Sequence, residues 1–115
     1  MFIAQIVIVL TSVLVVASTA AAARGWFRIN PLVGIRYRYF VTSERAWRAG
    51  HCAAFVPVAT GGVLFASAAI VSWVAPVASN QAVIILLVGA GLMLAALAIG
   101  VWRGNVAALN ALAQG

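Results

Sequence analysis

Three uncharged apolar runs govern what this chain can fold into. From Phe2 to Ala23, from Cys52 to about Ala75 and from Gln81 to Trp102 there is no Asp, Glu, Lys or Arg. At a rise of 1.5 Å per residue, about 20 residues cross a hydrocarbon core of about 30 Å, so each run is long enough to span a bilayer. The composition agrees. Of 115 residues 66% are apolar and 7% charged, about a quarter of the charged share of a soluble domain. Such a chain cannot cover a core with polar surface, so its solvent is lipid. The expectation is an all-α integral membrane protein: one domain, residues 1–115, with three transmembrane helices over about 2–23, 52–75 and 81–102.

The polar residues are gathered between the first two runs. The segment from Arg24 to His51 holds six of the seven arginines, the only acidic residue, Glu44, and the only histidine. Gly25, the Asn30-Pro31 pair and Gly34 break any helix in its first half. Arg36-Tyr37-Arg38-Tyr39-Phe40 alternates charge with aromatic, and in an extended ribbon both arginines would share one face and both tyrosines the other. Trp26 and Phe27 read as part of an aromatic belt at headgroup depth. Ser43 is a good N-cap, Glu44 suits the positive end of a helix dipole, and Arg48 stands four residues on in the favourable order for a pair. Trp47 and His51 share the face of Ser43, so a short amphipathic helix leads from the loop and runs on into the second span.

Within the second span, Pro57 is expected to kink the helix. Gly61, Gly62, Ala66 and Ala69 make one side small, as do the Gly91/Ala95 and Ala96/Gly100 pairs in the third span. Pro76 to Asn80 is a short uncharged turn, so these two helices form an antiparallel hairpin. Residues 103–115 form a tail. From Asn105 it is mildly amphipathic through Val106, Leu109 and Leu112, as a surface helix or a fraying end.

Ala21-Ala22-Ala23 resembles a signal-peptide cleavage site, but no basic residue precedes the first run and Arg24 follows it, which favours a retained helix with its N-terminus outside. With three spans, the basic loop and the C-terminus share a side that carries all seven arginines, and the other side carries none. The positive-inside rule puts the loop and C-terminus in the cytoplasm. Arginine without lysine, beside abundant Ala and Val, suggests a GC-rich bacterial genome through codon use, so the expected location is a bacterial plasma membrane.

Little here supports catalysis. One His, one Glu and one Cys within nine residues offer no acid–base constellation, and adjacent His51 and Cys52 point about 100° apart on a helix. The expectation is a structural histidine, a small buried cysteine, no enzyme, no metal site and no cofactor. No ionisable group lies at midplane depth, which argues against transport. Juxtamembrane arginines more often meet anionic headgroups, at about 1 kcal/mol each, than nucleic acid, so direct nucleic acid binding is not expected.

Asn30-Pro31-Leu32-Val33-Gly34-Ile35-Arg36, followed by Thr42-Ser43-Glu44-Arg45-Ala46-Trp47-Arg48-Ala49-Gly50-His51, resembles the signature of the SdpI (SdpI/YhfL) family of small bacterial membrane proteins. That module carries an N-x-x-x-G-[IY]-R-T stretch, then S-x-x-x-W and a second span. Tyr37 departs from the family's Thr after the arginine. The resemblance implies an immunity or signalling role, in which a membrane protein counters a secreted toxin and sequesters a transcriptional repressor.

The candidate residues for binding a partner or lipid are Asn30, Gly34, Arg36, Arg38, Glu44, Trp47, Arg48 and His51. Each has a structural reading beside the functional one. Gly34 allows a tight turn and Asn30 caps backbone amides. Arg36 binds a lipid phosphate or pairs with Glu44, Trp47 anchors at the interface or binds a partner, and His51 bonds into the loop. Two functions follow as expectations: an SdpI-like protein whose loop meets an acidic partner or anionic lipid, or a non-catalytic accessory subunit of a larger membrane complex. Self-association through the glycine faces is a third. The topology has a direct check. A fluorescent protein fused at the C-terminus should fluoresce, and a cysteine introduced at Ser79 should react with an impermeant maleimide added outside; the reverse labelling would invert the orientation.

Overall fold

In a computed structural model of the chain, residues 2–26, 28–30 and 34–113 are described. The expectations for Phe27, for Pro31 and for Leu32 and Val33 lie outside the described residues. Three α-helices run over Phe2–Ala23 (α1), Glu44–Val74 (α2) and Ser79–Ala113 (α3), with a short 3₁₀ turn at Arg38–Val41. All three are long and apolar enough to cross a membrane.

The helix ends follow local chemistry. α1 closes in a Schellman motif: the Trp26 amide donates to the Ala21 carbonyl at 2.9 Å and the Gly25 amide to Ala22 at 3.1 Å. Gly25 takes the left-handed φ of +77° that this motif requires. Ser43 caps α2 as expected, its side chain accepting from the Ala46 amide at 3.0 Å. Gln81 reaches back to accept from the Ala78 amide at 3.0 Å, so the α2–α3 turn is tied at the start of α3.

α2 is the middle helix. Among the described residues α1 and α3 both pack on it and not on each other. The adjacent glycines of α2 divide the work, because neighbours on a helix point about 100° apart. A Cβ at Gly61 would come within 2.5 Å of Ala96 on α3, and one at Gly62 within 2.5 Å of Val16 on α1. The small-residue reading therefore holds for Gly61 and for Ala96, but a Cβ at Gly91 would meet nothing within 4 Å, and Gly91 and Ala95 face outward. A polar seam joins α1 to α2. Gln5, Ser12 and Thr19, seven residues apart, are all buried, and the Gln5 amide donates to the Ser72 hydroxyl at 3.2 Å.

The helices differ in length, and that difference builds a second layer. α1 has 22 residues, α2 31 and α3 35, or about 33, 46 and 52 Å of helix. α1 matches a hydrocarbon core, while α2 and α3 exceed it at the end that carries the arginines. The helix expected ahead of the second span is no separate element, for residues 44–51 are the first turns of α2 itself. The tail is likewise no separate element, for α3 continues to Ala113. Its inward face is Gly104, Ala108 and Ala111, whereas Val106, Leu109 and Leu112 point outward.

The 3₁₀ turn packs on both extensions and replaces the expected ribbon. In a ribbon Phe40 would share the face of Arg36 and Arg38. Instead Arg38 adopts a left-handed φ of 31°, and the turn sends Phe40 fully inside while both arginines stay exposed. Phe40 fits because two glycines face it. A Cβ at Gly50 would lie 2.5 Å from its ring, and one at Gly104 would strike the ring and come within 2.7 Å of the Gly50 carbonyl oxygen. The Asn105 side chain accepts from the Tyr39 amide at 3.3 Å and completes the lock.

Phe40→Ala should lower stability by about 3 kcal/mol. Gly104→Ala should also destabilise, since backbone at position 50 cannot yield, whereas Gly91→Ala should be neutral or mildly stabilising through helix propensity. Thermal aggregation in detergent, followed by size exclusion, measures all three; equal midpoints for the two glycine variants would show that Phe40 is not locked in this way.

Candidate functional site

The basic end is a buried aromatic cap with a charged rim. Its centre is His51, fully buried on α2. The His51 ring meets Phe40 edge-on, with centroids 5.3 Å apart at 84°, and Trp47 at 4.4 Å and 50°. Both ring nitrogens are committed. Nε2 lies 2.9 Å from the Ile35 amide and can only accept from it, so Nδ1 carries the proton and donates to the Trp47 carbonyl at 2.7 Å. The bonding pattern assigns a neutral Nδ1–H tautomer.

Gly34 closes the cap. Its φ is +101°, and a Cβ there would lie 2.6 Å from the Trp47 ring and 3.1 Å from Nε2 of His51. Only glycine serves both the backbone conformation and the approach. Trp47 is therefore not an interfacial anchor; it is fully buried. The exposed tryptophans stand at the ends of the apolar runs, Trp26, Trp73 and Trp102, where an aromatic belt is expected.

The remaining candidates lie on the rim. Arg36, Arg38, Glu44 and Arg48 are exposed. Arg36 donates through Nη1 to the Asn30 carbonyl, and the Asn30 amide donates to the Arg28 carbonyl at 2.9 Å, so Asn30 organises the loop. Glu44 takes a different partner from the arginines considered for it: Oε1 accepts from the Ile29 amide at 3.2 Å. The loop is thereby pinned to the start of α2, while Arg36, which keeps its bond to the Asn30 carbonyl, and Arg38 remain exposed. Cys52, expected to be buried, is exposed, its thiol donating to the Ala23 carbonyl at 3.3 Å.

The structure thus brings Gly34, Trp47 and His51 into one cluster and leaves the arginines around it. Phe40 and Asn105 are the members that sequence reasoning passed over. Alternation puts Phe40 in the ribbon and amphipathic spacing puts Asn105 in the tail, and the signal that points to them instead is the matching pair of glycines, Gly50 and Gly104.

A second space opens on the membrane side of the cap. A groove of about 740 Å³ lies between α1 and α3, with Val58 of α2 on its floor, Leu14 and Leu97 on its walls and Gly34 and Ile35 at its end. It exists because the two outer helices take separate faces of α2.

His51 belongs to the extension of α2 that precedes the apolar run. Burial lowers its pKa below the ordinary 6.5, outweighing the opposing bond to the Trp47 carbonyl. The neutral folded form is favoured, so its contribution is fully present above pH 6.5 and is lost as pH falls through the lowered folded value. Melting of the purified protein in detergent should drop between pH 8 and pH 5, and the drop should shrink in His51→Gln; superimposable pH profiles for the two proteins would remove His51 as the cause.

Comparison of the chain with protein-family models, curated proteins and solved structures finds no match, so the reading of this site rests on its own geometry.

Proposed function

We propose that this chain is an SdpI-like immunity or signalling protein of the bacterial plasma membrane, whose basic cytoplasmic rim recruits an acidic partner or anionic lipid. The observation that carries the reading is the mounting of the rim. Arg36 and Arg38 are exposed on a segment held by a buried aromatic cluster, so their guanidinium groups form a preorganised surface and not a flexible tail. Gly34, Trp47 and His51, which carry the family resemblance, meet in one contact cluster, and this supports treating the motif as a folding signature for such a surface. The cytoplasmic assignment follows from the seven arginines standing on one side of three spans.

A second reading, an accessory subunit of a larger membrane complex, is favoured by a different observation. The Gly91/Ala95 face of α3 meets no neighbour among the described residues, and small faces of this kind serve helix–helix contacts in lipid. Self-association would use the same face.

Since Trp47 is buried, the informative variants are the exposed arginines. A tagged pull-down from native membranes in mild detergent, comparing wild type with Arg36→Ala/Arg38→Ala, distinguishes the readings. Recovery of a soluble acidic regulator that falls at least tenfold in the variant supports recruitment by the rim, a loss of about 1.4 kcal/mol. Stoichiometric recovery of several integral-membrane subunits, unchanged in the variant, would replace it with the subunit reading.

A further inference from the structure

The seam between α1 and α2 continues from the apolar region into the charged rim, on the side of α2 away from α3. An apolar trough of about 350 Å³ is lined by Ser12, Val16, Ala20, Phe55, Gly62 and Ala66. Ala20 and Phe55 also line the next space, of about 200 Å³, which reaches Arg24 and Cys52. Cys52 and Ala23 then open into a mouth of about 420 Å³ bounded by Glu44, Arg45 and Arg48. The shared residues make one track from hydrocarbon to charge. Val13 and Val63, both exposed, form the rims of the trough, so the track is open sideways to the bilayer.

The geometry of α2 explains why charge ends this track and not another. Arg45, Arg48, Cys52 and Phe55 recur at three- and four-residue spacing and therefore lie along one face. That face meets the end of α1, where the Cys52 thiol bonds the Ala23 carbonyl. The closing turn of α1 rests on Arg48: a Cβ at Gly25 would lie 2.9 Å from Nε of Arg48. Arg24 stands over the Trp26 ring at 5.1 Å. Arg24 on the middle space and Arg45 and Arg48 at the mouth stand against one carboxylate, Glu44, which already accepts from the Ile29 amide, so the two spaces together carry a formal net charge of +2.

We propose that this track binds a single phospholipid with an anionic headgroup, its acyl chain in the Val16–Ala20–Phe55–Gly62 trough and its phosphate between Arg24, Arg45 and Arg48. The charge selects the occupant. An apolar partner helix would leave the net charge of +2 unmatched, whereas a lipid supplies a phosphate at headgroup depth and a chain of matching polarity below it. The inference rests on the membrane-embedded reading and is independent of any signalling role, which is carried by Arg36 and Arg38.

Native mass spectrometry of the full-length protein, titrated in detergent with phosphatidylglycerol or with phosphatidylcholine of the same acyl chains, tests the site. The anionic lipid should be retained about 10- to 30-fold more tightly. Arg45→Gln/Arg48→Gln should abolish that preference, Arg36→Gln/Arg38→Gln should keep it, and Ala20→Leu, which narrows the trough, should weaken both lipids. The two arginine pairs are exposed, so their size-exclusion profiles report on folding even if Ala20→Leu fails to assemble. Equal retention of the two lipids would overturn the proposal, as would a preference that survives loss of Arg45 and Arg48. Binding of a soluble polyglutamate at these arginines, with neither lipid retained, would make the mouth a protein contact instead. Failure here leaves the Arg36/Arg38 pull-down unaffected, and the reverse also holds.

Discussion

Burial of Phe40 between Gly50 and Gly104 is the contact on which the basic end depends. The ring is fully enclosed and touches elements far apart in sequence: the 3₁₀ turn, the first turns of α2 and the last turns of α3. Removing a phenylalanine side chain from water is worth about 1.5–3 kcal/mol, enough to offset the left-handed backbone at Arg38, which costs on the order of 1–3 kcal/mol. Once the ring is seated, the preceding segment has one path. Ile35 falls opposite His51, Gly34 lies against Trp47, and the arginines can only point outward.

A second constraint comes from the solvent. In lipid a polar side chain is favoured on the face turned towards the neighbouring helix, although Gln5 Oε1 and Ser12 Oγ are buried there with no hydrogen-bond partner among the described residues. The first helix has polar residues at seven-residue intervals, Gln5, Ser12 and Thr19, and all three turn inward. Gln5 bonds across to Ser72, while Thr19 bonds back to the Val15 carbonyl of its own helix at 2.9 Å. This seam fixes the rotation of α1 about its axis. The same rotation places Ala20 and Ala23 along the track towards Arg48.

The His51 bonds show how a polar group can be tolerated so close to the apolar region. A neutral imidazole with one nitrogen donating and one accepting has no unpaired site in the plane of the ring. It bridges two backbone groups, the Trp47 carbonyl within α2 and the Ile35 amide of the loop. The histidine is thus a clasp between helix and loop, and its burial separates the structural part of the motif from the exposed arginines that can meet another molecule.

What could be read from residues alone was whatever depends on local order. The length and polarity of the three runs determined three membrane-length helices, because any other structure would leave backbone groups unbonded in lipid. Ser43 capped α2 through its own side chain, and Gly25 and Gly34 marked where a helix would break, their left-handed backbone being a feature of the structure. The position of six arginines between the first and second runs determined that the charge would collect at one end. The tertiary structure decided the rest, since it depends on which surfaces meet. It sent Gly61 and Gly62 to different helices and turned the Val106–Leu109–Leu112 stripe outward. It also converted an alternating ribbon into a turn that buries Phe40. Alternation and amphipathic spacing record only which residues share a face. Whether that face meets lipid, water or another helix is set by close approach, and at this end of the molecule two glycines 54 residues apart, Gly50 and Gly104, permit it.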